Sequence, residues 1–99
     1  MAIGMLNRMP EGGDTSIYDR VTATIDPTNN PPDGMIFHSA GMLEGRFQVF
    51  DIWESREHFD RFREERLIPA MKQVVGEDAF AQMPDAEYIT VDVHNYVIP

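Results

Sequence analysis

Apolar and polar positions follow two different periods along the chain. Four segments are rich in apolar, β-branched and aromatic residues and are bounded by turn formers, which predicts strands. They are 2–9, 35–42, 46–54 and 88–98. Two segments between them repeat apolar residues every three or four positions, which predicts amphipathic helices over 16–25 and from Ser55 to about residue 67. The predicted order of elements is therefore β-α-β-β-α-β.

Turn formers and proline set the limits of these elements. A short turn around residues 43–45 joins two predicted strands into a hairpin. Pro69 is expected to interrupt the second helix and to leave a further helical piece from Ala70 to Val75. Residues 77–87 are expected to form a loop, with at most one helical turn around 78–81.

This order predicts a single ferredoxin-like α+β domain over residues 1–99, with a four-stranded antiparallel sheet and both helices on one face. The third predicted strand carries large apolar side chains on both sides, Phe47 and Trp53 on one and Phe50 and Ile52 on the other. One layer of helices covers only one side, so a second copy of the chain is expected on the other. We therefore predict a homodimer in which two facing sheets form a dimeric α/β barrel around the mixed aromatic and polar side chains.

Composition narrows the range of partners. Seventeen acidic against eight basic residues give a net charge of −9, which disfavours binding to nucleic acid or to an anionic membrane. The sequence has no cysteine, so it offers no disulfide, thiolate nucleophile or cysteine-ligated metal. No apolar run approaches the roughly 18 residues of a membrane span, and the N-terminus lacks the basic region of a signal peptide. A soluble, cytoplasmic protein is expected.

His38 is the most suggestive residue for chemistry, because it lies within an apolar strand. If Gly41 pairs with Arg46 in the hairpin, His38 shares a face with Asp51 and Trp53. A carboxylate beside a histidine stabilises its charged form, so the pair could take a proton from a phenolic or enolic substrate. A one-residue slip at the turn would separate the pair, and a hydrogen-bonded structural histidine is the alternative.

Further side chains are candidates for substrate binding. Asp92 and His94 lie two residues apart on the last strand and hence on one face. The two could form a second acid–base pair. A metal site is a weaker interpretation, since Asp92 and His94 supply only two ligands, and hydrogen bonding at a dimer rim is a third interpretation. Trp53 could stack on a planar ligand or anchor the core. Tyr18 and Phe59 lie on apolar helix stripes and are interpreted as core residues.

Residues 46–67 resemble a known group of proteins. The run FQVFDIWESREHFDRF, in which a strand ending in acidic-x-Trp-Glu-Ser enters a helix, is similar to the antibiotic-biosynthesis-monooxygenase-like proteins of the dimeric α+β barrel superfamily. The predicted element order, the chain length and the opening MAIGMLNRMP agree with this resemblance. The superfamily includes cofactor-free oxygenases, haem-degrading enzymes and lactone isomerases, so the resemblance implies the fold more firmly than the activity.

The resemblance also carries implications for individual residues. Haem-degrading members pair an Asn on the first strand with a Trp and a haem-ligating His on the second helix. Asn7 matches the Asn, but Phe62 and Lys72 occupy the other two positions, which argues against haem degradation. Quinone-forming oxygenases line their cavity with Asn and Trp, among other residues, to bind a polycyclic phenol. This implies substrate-binding roles for Asn7 and Trp53.

Two functional hypotheses follow. The first is a small-molecule enzyme resembling cofactor-independent monooxygenases, an oxidoreductase without a cofactor. In it, His38 and Asp51 deprotonate a planar aromatic or enolic substrate in the barrel cavity. The second is a non-catalytic ligand-binding or structural dimer of the same fold, supported by the lack of a complete catalytic constellation. A closed cavity with His38 exposed to it favours the first, and a filled barrel favours the second.

Overall fold

The computed structural model describes residues 2–9, 15–83 and 87–99. Its strands are β1 (Ile3–Arg8), β2 (Met35–Leu43), β3 (Arg46–Trp53) and β4 (Glu87–Asp92). Its helices are α1 (Ser16–Ile25), α2 (Arg56–Phe62), α3 (Ile68–Val75) and α4 (Glu77–Gln82), with a π-helical turn at Arg63–Leu67 between α2 and α3. The four strands form one antiparallel sheet in the order β2-β3-β1-β4, which confirms the predicted ferredoxin-like α+β fold.

The β2–β3 hairpin closes through a two-residue turn. Glu44 and Gly45 both have positive φ values, 51° and 77°, as the tight turns that suit twisted antiparallel strands require. Gly41 pairs with Gln48 and not with Arg46, so the register differs from the predicted one by two residues. A shift of two leaves every side chain on its predicted face, because side chains alternate with a period of two.

The helical region after β3 begins with a defined cap. The Ser55 hydroxyl accepts a hydrogen bond from the His58 backbone N–H, which satisfies one of the free donors at the start of α2. Further along, Pro69 lacks an N–H, and its ring would crowd the carbonyl four residues earlier. The wider π-helical turn that precedes α3 accommodates this proline, so the helical path changes geometry without a break.

Two predicted boundaries are wrong. The predicted loop over 77–87 is wrong for its first six residues, because α4 occupies them. Positions 84–86 of this prediction lie outside the described residues. The last strand ends at Asp92 and does not extend to residue 98. Among the described residues, its final backbone hydrogen bond to the neighbouring segment runs from the Val93 N–H to the Ala2 carbonyl, at 3.2 Å.

The two faces of the sheet have different neighbours. Met5 of β1, Phe47 and Asp51 of β3 and Tyr88 of β4 point toward the helices. Trp53 points the same way and is fully buried against Phe59 in the core cluster. The opposite face carries apolar side chains that are substantially exposed; these include Phe37, Ile89 and Val91. Within the described ranges, no helix has the length and apolar composition needed to cross a membrane.

Candidate functional site

A cavity of about 680 Å³ lies between the sheet and the helices of a single chain. This is the size range of pockets that hold drug-sized ligands. Apolar side chains from α1, β3 and the region α2–α4 form most of its wall. The polar groups among the described lining residues are few, and they are Asn7, Tyr18, Thr22, His38, Asp51, Arg63 and Tyr88.

The position of the cavity corrects the predicted barrel interior. The mixed aromatic and polar face of the sheet does not face outward toward a second sheet. It faces the protein's own helices, and the more uniformly apolar face is the uncovered one. The sequence pattern defines two faces for each strand, but the side on which the helices pack follows from the crossover connections. This cavity is therefore formed by the sheet and helices of one chain.

His38 and Asp51 meet in this cavity as predicted. They are directly opposite each other in the β2–β3 pair, and Nδ1 of His38 lies 2.6 Å from Oδ1 of Asp51. Asp51 is the one buried charged residue among the described residues, at 7% exposure. The hydrogen bond from this carboxylate raises the pKa of His38 above 6.5, and its negative charge adds to the effect, while desolvation of the imidazole opposes it. The hairpin therefore places a histidine of raised pKa against a buried carboxylate.

Tyr18 completes a line of three hydrogen-bonded side chains. Its Oη lies 2.5 Å from Nε2 of His38, and its ring is inclined by only 9° to the imidazole plane. An ionised carboxylate can only accept hydrogen bonds, so Asp51 takes the Nδ1–H of His38 and leaves Nε2 as an acceptor for the Tyr18 hydroxyl. While His38 is neutral, the order of donation is thus Tyr18 to His38 to Asp51.

Helix α1 holds Tyr18 over the sheet. The Tyr18 ring packs at 60° against Phe47 with centroids 4.9 Å apart. Arg20 on the same helix donates to the Val74 carbonyl at 3.1 Å, and Arg66 donates to the Ile25 carbonyl at 2.8 Å. These contacts fasten both the middle and the end of α1 to the α3 region and fix the Tyr18 side chain relative to β2.

The interpretation of Tyr18 as a simple core residue missed this role. The apolar stripe of α1 correctly predicts that Tyr18 faces the sheet, since Val21 on the same stripe is buried. A tyrosine on a buried stripe carries a hydroxyl that needs a hydrogen-bond partner, and that requirement is the signal the sequence contains. The identity of the partner, twenty residues away on β2, follows only from the packing of α1 on the hairpin.

Asn7 is the second polar group predicted for the site, and it does line the cavity. It lies on β1 between Val49 and Tyr88, on the face that carries Asp51. Its Oδ1 atom is buried and has no hydrogen-bond partner among the described residues. A buried acceptor without a partner is costly, so a ligand group that donates a hydrogen bond there would gain affinity.

The structure does not bring the other three predicted residues to the cavity. Trp53 is fully buried, with its ring 5.8 Å from Phe59 and 5.1 Å from Phe62, and its predicted place in the cavity wall is wrong. Asp92 is exposed at the end of β4, and His94 is exposed beyond it. Neither lines the cavity. Among the described side chains, no group of three or more His, Asp or Glu residues is arranged to hold a metal ion.

Comparison by sequence finds no relative, since no family model and no curated protein matches the chain. Comparison by structure does. Rv0793 from Mycobacterium tuberculosis has a TM-score of 0.68 at 15% identity, over 99% of this chain and 100% of its own. SnoaB, a cofactor-independent oxygenase from Streptomyces nogalater, has a TM-score of 0.63 at 13% identity, over 97% and 96%.

A proposed antibiotic biosynthesis monooxygenase from Caulobacter crescentus gives a TM-score of 0.67 at 11% identity, over 95% of this chain and 91% of its own. Likeness at such low identity establishes the fold and leaves the activity open. The chain has the ferredoxin-like α+β fold of the antibiotic-biosynthesis-monooxygenase-like proteins, as the motif at residues 46–67 predicted.

Proposed function

We propose that this protein is a small-molecule enzyme that resembles the cofactor-independent monooxygenases and acts on a planar aromatic or enolic substrate. The observation that carries the proposal is the hydrogen bond of 2.6 Å between His38 and the buried Asp51 at the wall of a mostly apolar cavity. An apolar cavity with a few convergent polar groups and a perturbed acid–base residue is the usual form of an active site. The fold shared with SnoaB supports the same class of activity.

The proposed reaction begins with proton removal. The basic group formed by His38 and Asp51 takes the acidic proton of a phenol or enol, and the apolar wall keeps water from competing for the resulting anion. The anion is rich in electrons and reacts with dioxygen at carbon. For a substrate CH₂ group, one oxygen atom becomes the product carbonyl, and the other leaves as water with the two hydrogen atoms of that carbon. Dioxygen is the oxidant, and the proposed reaction uses no metal or flavin.

Asn7 is the proposed polar contact for the substrate. Its buried Oδ1 has no hydrogen-bond partner in the part of the chain that the structure describes, so a substrate hydroxyl can donate to it. The surrounding aromatic and methionine side chains supply adaptable apolar contact for a flat ring system; among them are Phe47, Phe59, Met5 and Met71. Trp53, Asp92 and His94 have no part in this proposal, since they lie outside the cavity wall.

The homodimer is part of the same proposal, through the open face of the sheet. Phe37, Ile89 and Val91 of that face are each exposed by more than 40%. A second copy packed on this face would remove them from water, and small domains commonly gain stability in this way. Because the cavity is on the other side of the sheet, dimer formation would stabilise the site without lining it.

Anthrone tests the proposal directly. It is a planar tricyclic ketone with a phenolic tautomer, and its oxidation by dioxygen gives anthraquinone and water. Purified protein is expected to accelerate oxygen uptake and quinone formation, and His38→Gln is expected to lose that acceleration, because an amide is not a base. Tyr96→Phe is the control, because Tyr96 is exposed and lies outside the cavity wall. No acceleration by the unaltered protein, or full activity in His38→Gln, contradicts the proposal.

The non-catalytic ligand-binding dimer predicts a different result. A planar phenol such as 2-naphthol, whose fluorescence reports its environment and its ionisation, would then bind in the cavity while anthrone oxidation stays at the uncatalysed rate. Measuring both probes on one protein preparation separates the two hypotheses.

A further inference from the structure

Both ring nitrogens of His38 are already engaged. Nδ1 lies 2.6 Å from Asp51, and Nε2 lies 2.5 Å from the Tyr18 hydroxyl. A neutral imidazole has one N–H and one nitrogen lone pair, so these two hydrogen bonds use its whole capacity. A substrate in the cavity therefore meets no free nitrogen of His38.

The Tyr18 oxygen is the next group along this line. A phenolic hydroxyl donates one hydrogen bond and can accept another, and Tyr18 uses its hydrogen at His38. Tyr18 is a lining residue of the cavity and is only partly buried. Packing holds the Tyr18 side chain in place, because its ring lies 4.9 Å from the Phe47 ring and nearly parallel to the His38 imidazole.

We propose that Tyr18 is the catalytic residue that contacts the substrate, and that His38 and Asp51 act through it as positioning residues in a proton relay. This inference rests on the proposed function. In the relay, the substrate O–H bond breaks and its proton forms a new O–H bond at Tyr18. At the same time the original Tyr18 proton moves to Nε2 of His38. The step involves no oxidation, and it ends with a neutral Tyr18, an imidazolium between Tyr18 and Asp51, and a substrate anion.

The relay gives a reason for the buried Asp51 carboxylate beside His38. Proton transfer puts a positive charge on His38 inside a site with little water, and such a charge is costly without a partner. Asp51 is 2.6 Å away and supplies the opposite charge before the reaction starts. Because the two proton transfers are coupled, a free tyrosinate is not needed. The proton held by His38 returns through Tyr18 to the oxygen that leaves as water.

Tyr18→Phe tests the relay, because phenylalanine keeps the contact with Phe47 and removes only the hydroxyl. We expect its affinity for 2-naphthol to stay within about threefold of the unaltered protein, while its rate of anthrone oxidation falls by about 10²–10⁴, the usual value of general acid–base catalysis. The double variant Tyr18→Phe/His38→Gln is expected to be no slower than the slower single variant, since residues that act as a unit are not additive. Tyr96→Phe is the matched control.

A pH profile separates a relay from a structural tyrosine. The rate should rise as His38 loses its proton in the unaltered protein, and Tyr18→Phe should lose that dependence. If Tyr18→Phe keeps the full rate and its pH dependence while His38→Gln is inactive, His38 acts directly, so the relay is overturned and the proposed function stands. If both variants match the unaltered protein, or if that protein has no activity, the proposed function fails and takes the relay with it.

Discussion

His38 and Asp51 occupy directly opposed positions in the β2–β3 pair, and their side chains meet at 2.6 Å on the face that the helices cover. Opposed residues in an antiparallel pair have their Cβ atoms about 5 Å apart, so the two side chains need no unusual backbone to make this contact. The hairpin thus builds the acid–base pair, and α1 then adds Tyr18 to it from above the sheet.

Asp51→Asn is expected to lower the pKa of His38. The carboxylate raises this pKa through its hydrogen bond and its charge, whereas desolvation of the imidazole, which lowers it, remains in the variant. NMR titration of the His38 imidazole signals measures the change. Asp92→Asn is the control, since Asp92 is exposed on the same sheet face. If the pKa of His38 is the same in Asp51→Asn as in the unaltered protein, Asp51 is not the cause of the raised pKa.

Stability should depend on pH through the same pair. The pKa of His38 is raised above 6.5 in the folded protein, so folding favours the protonated form. This stabilisation is complete below the unfolded pKa of about 6.5 and is lost as pH rises through the folded pKa. Urea unfolding of the unaltered protein and of His38→Gln at a series of pH values should give a difference in unfolding free energy that shrinks upward through this window. A difference that stays constant, or that grows with pH, would contradict the assignment.

Trp53 is expected to matter for stability and not for ligand binding. Its side chain is fully buried and packs against the rings of Phe59 and Phe62. Trp53→Phe should reduce the unfolding free energy by about 1–3 kcal/mol, less than the loss usual for truncation of a buried Trp to Ala. The affinity of the folded variant for 2-naphthol should stay unchanged. Selective loss of binding at normal stability would instead put Trp53 in the cavity wall.

Gly34 is expected to tolerate no side chain. Its φ is +83°, and a Cβ there would lie 2.3 Å from Cδ2 of His58. Gly34→Ala should therefore cost about 1–3 kcal/mol of unfolding free energy. Gly41→Ala is the control, because nothing lies within 4 Å of its Cβ position. Adding His58→Ala to Gly34→Ala should recover the unfolding free energy lost to the clash with His58. The loss caused by the positive φ at position 34 should remain. Equal stability of the Gly34 and Gly41 variants would refute this account.

Phe37→Glu tests the proposed dimer. Phe37 is 42% exposed on the open face of the sheet, so a charge there would disrupt packing against a second copy. Sedimentation analysis should show a dimer for the unaltered protein and a shift toward monomer for the variant. Met42→Glu is the control, since Met42 is 56% exposed but pairs with Phe47 and lies on the opposite face. A monomeric unaltered protein, or equal effects of both substitutions, would argue against this interface.

The faces of the hairpin were predictable from the sequence because strand geometry has a fixed period. His38 and Asp51 share a face for any register shift of an even number of residues, so the two-residue difference at Gly41 did not matter. Gly45 and the short turn at residues 43–45 limited the number of possible hairpin registers. The predicted end of the last strand was wrong because the length of a strand depends on its pairing with a neighbour, and β4 pairs with β1 only as far as Asp92 opposite Ile3.

The sequence by itself determined the order of the strands, the fold class and the shared face of His38 and Asp51, because each of these follows from local side-chain periodicity and from turn residues. Only the tertiary structure decided that the cavity lies under the protein's own helices, that Trp53 is outside it and that Tyr18 binds His38. The physical reason is the crossover connection. It selects which face of the sheet α1 covers and which strand position its tyrosine reaches, and no local pattern specifies either.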